Sequence, residues 1–287
     1  MSERSLTLFD LAPGKVLRDR YELLRPHRQG GMSATFEVED RQDSARRELQ
    51  IFPAALFETR SQSSDFADVM SAWLPIDAPA VLRVRAVEQL DDGSLLLVTD
   101  FPPGIALRDW LKDHGRMECA QALELGRRML AGLVAIHAAG RVHGDIKPYT
   151  IHLAPGDVVQ DVMLVDGGIT PGLWSAKHLG DKTALIGTPY YAPVEQFGGE
   201  SPDVQSDIYN LATVLYEVVT GSVPWSGSSF LDVFQAKLEK EPPMMSARAS
   251  DLEVPEDFES VVRGGLMADR RERYASAQEF LDVLAEL

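Results

Sequence analysis

The first third of the chain alternates apolar and polar residues with a period of two, the spacing of half-buried strands. Tyr21 to Leu24 reads as the first strand, Thr35-Phe36-Glu37-Val38-Glu39 as the second and Glu48 to Phe52 as the third. A glycine turn at Gly30-Gly31-Met32 and a polar turn from Arg41 to Ala45 separate them. Residues 1–20 precede this series as an extension, with a short apolar patch at Leu6, Leu8, Phe9 and Leu11 ahead of Pro13-Gly14. Helical spacing appears at residues 64–74 through Phe66, Val69, Met70 and Trp73. Strands return at Val81 to Val84 and Ser94 to Val98, with Asp91-Asp92-Gly93 as a hairpin turn.

Pro102-Pro103-Gly104 breaks the pattern and is the predicted hinge. Beyond it the period is helical. Leu123, Met129, Leu130, Leu133, Val134 and His137 are predicted to share one face of a long helix closed by Gly140. A second helix starts at Ser206-Asp207, buries Ile208, Leu211, Leu215, Val218 and Val219 and ends at Gly221. Phe230 to Lys240 forms a third, and Ser276-Ala277-Gln278-Glu279 is a capping box for a terminal helix with Phe280, Leu281 and Leu284 buried. The division is therefore residues 1–20 as extension, 21–101 as a small antiparallel-sheet lobe with one main helix, and 102–287 as a larger, mostly helical lobe.

Composition narrows the function without naming it. At 287 residues, 45% hydrophobic and 25% charged, the chain is an ordinary globular protein large enough for two lobes. The formal charge of −16 argues against nucleic acid as a partner, because phosphate contacts need clustered Lys and Arg. Cys119 is the only cysteine, which excludes an intrachain disulfide and fits a reducing compartment. No apolar run reaches the roughly 18 residues needed for a membrane span, so a cytoplasmic location is expected.

The chemistry-bearing residues concentrate between His143 and Gly168. Asp145, Lys147 and Asp166 there form a vocabulary for phosphate and metal ions: carboxylates to hold a cation or a hydroxyl proton, and an ammonium to meet phosphate oxygens.

Four strings occur in order: HGDIKP from His143, VDGG from Val165, GTPYYAPVEQ from Gly187 and SDIYNLATVLYEVVTG from Ser206. With a strand-rich first third, a hinge and a helical remainder, residues 20–287 resemble the eukaryotic-type protein kinases, most closely the bacterial Ser/Thr type. The resemblance implies an α+β, bilobal protein-kinase-like fold. It also implies a role for each matching position. Asp145 would orient or deprotonate a substrate hydroxyl and Lys147 would contact the transferred phosphate. Asp166 takes the principal metal-ligand position, and Thr150 replaces the asparagine that is the second metal ligand. His143 and Asp207 match loop-anchoring residues, and Glu195 and Arg273 match a buried structural ion pair.

Measured against the same family, the nucleotide side departs from the pattern. Arg28 and Ser33 stand at the first and third glycines of the phosphate loop, of which only Gly30, followed by Gly31, is kept. Gln50 replaces the strand lysine that neutralises the α and β phosphates, and Glu48 replaces a small apolar roof over adenine. Val69 falls where the helix glutamate pairs with that lysine. Thr99 takes the gatekeeper position, followed by Asp100, and Pro102 lacks the N–H that would meet adenine. Gly144 replaces the arginine of the central loop and Gly167 the aromatic after the metal-ligand aspartate. Within the following loop, Trp174 is expected to pack and Thr183 to be an ordinary solvated threonine.

Two functions follow from this pattern. The preferred expectation is a pseudokinase, a signalling scaffold that meets a protein partner through the second lobe or the activation loop and uses no cofactor. The alternative is an atypical or weakly active Ser/Thr kinase, or another nucleotide-dependent transferase, dependent on ATP and Mg2+, that uses Asp145, Lys147 and Asp166 and takes its missing cation from Arg28, Arg46 or Arg47.

Overall fold

The computed structural model describes residues 11–29, 32–155, 161–177, 189–239 and 241–287. The chain forms two compact units. The first holds the described residues up to Asp77, Leu82–Pro102 and Ser175–Lys177; the second holds Ala78–Val81, Pro103–Trp174 and the described residues from Pro189 to Leu287.

In the first unit the strands β1 (Val16–Leu17), β2 (Tyr21–Gln29), β3 (Ala34–Asp40), β4 (Ala45–Phe52), β5 (Val84–Gln89) and β6 (Leu95–Asp100) form one sheet in the order β1-β2-β3-β4-β6-β5. Every neighbouring pair is antiparallel. Period two puts Leu49 and Ile51 on one face, where they bury with Leu23, Phe36, Val38, Leu96 and Val98. It puts Glu48 and Gln50 on the other. The first strand runs on past the predicted Leu24, and it holds Pro26 where the register shifts between Pro26 and Gln29.

Helix α1 (Arg60–Ser71) packs near this sheet, with Phe66 edge-on to Phe52 at 5.0 Å between ring centroids. It begins before the predicted residue 64 because Thr59 caps it, its hydroxyl accepting from the Gln62 N–H. Val81 to Arg83 lie outside β5; Val81 instead makes an isolated parallel bridge to Leu164.

The second unit opens with β7 (Ile105–Ala106), which pairs with β8 (Ile151–Leu153), itself paired with β9 (Val162–Leu164). Its helices are α2 (Leu107–His114), α3 (Cys119–Ala138), α4 (Ile169–Ala176, the last two residues of which count with the first unit), α5 (Val194–Phe197), α6 (Val204–Thr220), α7 (Phe230–Glu239), α8 (Glu256–Gly265) and α9 (Ala277–Ala285). Helices α6 and α9 pack on α3 at Gly126, where a Cβ would lie 2.8 Å from Leu284 Cδ2 and 3.1 Å from Leu215 Cδ1.

The buried face of α3 is Ala122, Leu125, Gly126, Met129, Leu130, Leu133 and Ile136. Leu123, Val134 and His137 are only half-buried. At about 100° per residue the predicted stripe spans one arc of about 140° from Met129 to Val134, with Leu123 and Val134 at its less buried edge. Helix α6 starts at an Asp203 cap that accepts from the Ser206 N–H, and Gly221 ends it at φ 75°. In α9, Leu281 is half-buried while Phe280 and Leu284 are buried. Among the described residues, no helix is long and apolar enough to cross a membrane.

Candidate functional site

In the first unit the polar sheet face carries a ladder of charges. Cross-strand register places Glu37 opposite Glu48 and Thr35 opposite Gln50, so two carboxylates meet side by side and each needs a cation. Glu37 receives Arg25 Nε at 2.6 Å and pairs with Arg46. Glu48 is fully buried, and Arg28 reaches it from β2 with Nε at 3.0 Å and Nη2 at 2.5 Å, while His27 Nδ1 lies 2.6 Å away. Gln50, also buried, places Nε2 3.5 Å from Glu48 Oε1.

Among the three arginines considered as substitute cations, Arg28 is thus the one paired with Glu48, the carboxylate beside Gln50. Arg46 stacks on the Phe101 ring, 3.7 Å from its centroid, and Arg47 binds Asp43 and Asp100 at 2.9 and 3.0 Å. His27 covers Phe101 as well, with ring centroids 4.6 Å apart. Thr99 is buried with its hydroxyl on the Asp100 carbonyl at 3.0 Å, and Pro102 is buried. Val69 is half-buried and Asp68 exposed on α1, Ser33 is half-buried, and Gly30 and Gly31 lie outside the described residues.

The second unit builds the loop from His143 to Thr150 around one carboxylate. Asp207, buried near the start of α6, accepts the His143 N–H at 2.8 Å, the Gly144 N–H at 2.7 Å and lies 2.9 Å from His137 Nε2. The buried His143 ring takes the Asp145 N–H at Nδ1, 3.4 Å, so Nε2 holds the proton it donates to the Val165 carbonyl at 3.0 Å. Burial holds its pKa below the ordinary 6.5, against the pull of Asp207, Asp145 and Asp166. Two further bonds, Val165 N–H to Thr150 O at 2.9 Å and Gly168 N–H to His143 O at 3.0 Å, tie this loop to the segment carrying Asp166.

Within that frame Lys147 Nζ donates to Asp145 Oδ2 at 2.7 Å, and both side chains stay partly exposed. Asp166 is held at φ 64°, a conformation costly for a residue with a Cβ. Thr150 donates its hydroxyl to the Asp145 carbonyl at 2.8 Å and accepts from the Lys147 N–H at 3.1 Å. That side chain spends its oxygen on the loop's own backbone. Among the described residues no group of three or more His, Cys, Asp or Glu side chains converges to hold a metal ion by itself. Asp166 therefore fits Mg2+ only as one carboxylate beside phosphate oxygens and water, the usual donor set for that ion.

Residues 57–283 match the protein kinase domain family model. The chain belongs to the protein kinase family. The matched span begins after β4 and so leaves out Arg28, Glu48 and Gln50. A protein named probable serine/threonine-protein kinase from Clostridium perfringens is 27% identical over 274 residues, 96% of this chain and 39% of the relative. The serine/threonine-protein kinase PknB of Mycobacterium tuberculosis is 30% identical over 267 residues, 92% of this chain and 42% of the relative. The chain therefore spans about two fifths of the length of these curated relatives. Among solved structures, the Mycobacterium tuberculosis PknI kinase domain superposes with a TM-score of 0.74 at 22% identity, covering 96% of this chain and 99% of that one. The Rad53 structure in complex with AMP-PNP gives 0.75 at 19% identity, covering 92% and 64%. The fold is the protein kinase fold, an antiparallel-sheet unit and a mostly helical unit.

The ion pair of Glu195 with Arg273 forms in the second unit at 2.7 and 3.2 Å, with Arg273 also donating to the carbonyls of Met267 and Gln205. Trp174 is buried, and Thr183 lies outside the described residues. Three participants escaped the sequence reading. His27 sits in a strand whose predicted end came too early, and Asn210 and Lys237 were read only as parts of predicted helices. The last left a signal: Phe230, Val233, Phe234 and Lys237 stand at i, i+3, i+4 and i+7, the apolar stripe of α7.

Proposed function

We propose that this chain is an atypical Ser/Thr protein kinase domain in which Arg28 substitutes for the strand lysine. The names of the relatives favour this reading over the pseudokinase expectation. The observation that carries it is the Arg28 guanidinium bonded twice to buried Glu48, beside Gln50 on the polar face of the sheet. Family members keep their lysine aligned with a helix glutamate. Here a cation and carboxylate pair is rebuilt within the sheet, between β2 and β4, which accounts for losing the lysine and the glutamate together.

On this reading Asp145 accepts the proton of a Ser or Thr hydroxyl, with Lys147 beside it to meet the transferred phosphate. Asp166 would hold Mg2+, which would supply neutralising charge to the nucleotide phosphates. Thr150 fixes the Asp145 loop and is no metal ligand. Arg28 remains tied to Glu48, so it offers less charge to a nucleotide than a lysine would, and turnover is slow.

A second reading, the pseudokinase, keeps one observation in its favour. Glu48 stands where adenine's roof would be, and a buried carboxylate there opposes entry of an anionic ligand. Thermal melts with ATP and Mg2+ separate the two. The transferase reading expects an ATP-dependent rise in Tm that Arg28→Met removes, and transfer of labelled phosphate that Asp145→Asn and Asp166→Ala abolish. No rise and no transfer by the unaltered chain would establish the pseudokinase.

A further inference from the structure

Lys237 is a fully buried lysine, and among the described residues no carboxylate forms an ion pair with it. Its Nζ donates to the carbonyls of Pro189 at 3.0 Å, Tyr190 at 2.9 Å and Ala192 at 2.6 Å. The rings of Phe197, Tyr209 and Trp225 surround it at 5.6, 5.0 and 5.8 Å from their centroids. Three acceptors take all three protons of an ammonium, and three ring faces favour the cation.

The carbonyl left over, that of Tyr191, accepts from Asn210 Nδ2 at 2.8 Å. Four consecutive carbonyls of an irregular segment are thus held by side chains. The Tyr191 hydroxyl adds a fifth tie, donating to Glu217 at 2.6 Å.

Helix α6 links this clamp to the chemistry. Asn210 follows Asp207 by three residues, so the two lie on one face of that helix, about 5 to 6 Å apart. Asp207 grips the loop that carries Asp145, and Asn210 grips residues 189–192, so one rigid element sets both. That segment is irregular backbone held from the same helix as the loop that carries Asp145.

We propose that Lys237 is a positioning residue for the protein substrate: by clamping residues 189–192 it sets the affinity for a Ser/Thr-containing peptide and leaves nucleotide affinity untouched. This rests on the transferase reading above. Burial pulls the Lys237 pKa well below the ordinary 10.5, so a weaker clamp would also release the proton more readily.

The test uses Lys237→Met, which keeps the stem and fills the aromatic box, and Lys237→Arg, which keeps the charge. Transfer from ATP to a degenerate Ser/Thr peptide pool is measured together with amide exchange at residues 190–192. Lys237→Met is expected to raise the peptide KM by about tenfold, with the ATP KM within about twofold, and to speed exchange at 190–192. Lys237→Arg is expected to restore part of both. An unchanged peptide KM in Lys237→Met, with the unaltered chain active, overturns the substrate role. Unchanged exchange at 190–192 overturns the clamp whatever the activity. Absence of transfer by the unaltered chain overturns the transferase reading and the substrate role with it.

Discussion

Replacing Arg28 with methionine would remove both guanidinium bonds from the buried Glu48 carboxylate and leave the His27 Nδ1 contact at 2.6 Å. Glu48 has no exposed side-chain surface and Arg28 only 11%, so solvent screens the pair little. Unit charges about 4 Å apart at an effective dielectric near 20 attract by roughly 4 kcal/mol, and stranding one partner of a buried pair costs about 3 to 5 kcal/mol. Arg28→Met is therefore expected to destabilise the first unit by about 3 to 5 kcal/mol. The reverse change, Glu48→Leu, is milder, since a long guanidinium can turn toward water. The double variant removes both charges and should recover most of the loss, because a well-packed apolar pair of similar volume is often neutral or better. Urea unfolding followed by circular dichroism gives the four corners of a double-mutant cycle. A loss below about 1 kcal/mol in Arg28→Met, or a double variant no more stable than that single one, would refute the view of Arg28 and Glu48 as a buried, mutually dependent pair.

Two further expectations concern the second unit. Gly144 sits at φ 79°, and a Cβ there would lie 2.5 Å from Pro171 Cδ; Gly144→Ala should cost about 1 to 3 kcal/mol in urea unfolding, and Gly144→Arg, although it restores the family residue, should destabilise further and gain no activity. Burial raises the Glu217 carboxyl above its ordinary 4.5, with Tyr191 as hydrogen-bond donor. Its contribution is then complete below pH 4.5 and is lost as pH rises through the folded-state value. Glu217→Gln, which keeps an acceptor for Tyr191, should flatten the dependence of Tm on pH and be the more stable form at pH 8. An identical pH profile in both proteins would count against this.

How much of this was legible in the chain depends on whether the deciding contact is local. Strand alternation, Gly221 as a helix end and the serine cap of α9 follow from neighbours within a few residues, and all three are in the structure. The onset of α1 was placed late because its cap, Thr59, precedes the apolar spacing that announced the helix. The predicted α3 stripe took in the half-buried Leu123 and Val134 because an apolar residue at the edge of a helix face looks the same in sequence as a buried one. Resemblance pointed to Asp145, Lys147, Asp166 and Asp207 through strings of residues adjacent in the chain. Thr150 shows the limit of that route, since a matched position says nothing of where a hydroxyl points, and this one points at its own loop.

The nucleotide side shows the same limit with larger consequence. Read one position at a time, Gln50, Glu48, Val69 and Arg28 are four losses, and four losses together argue for an inert fold. Strand register changes that sum. Arg28 and Glu48 lie 20 residues apart in sequence, on strands separated by β3, and two donor contacts from Arg28 plus one from His27 surround the carboxylate. Glu48 would lose both guanidinium bonds without Arg28, and Arg28 would be a bulky residue in a glycine position without Glu48. Each defect explains the other. What separates a dead pocket from a rewired one is therefore whether that guanidinium can turn from Glu48 toward a phosphate, and the ATP-dependent Tm of Arg28→Met beside that of the unaltered chain measures it.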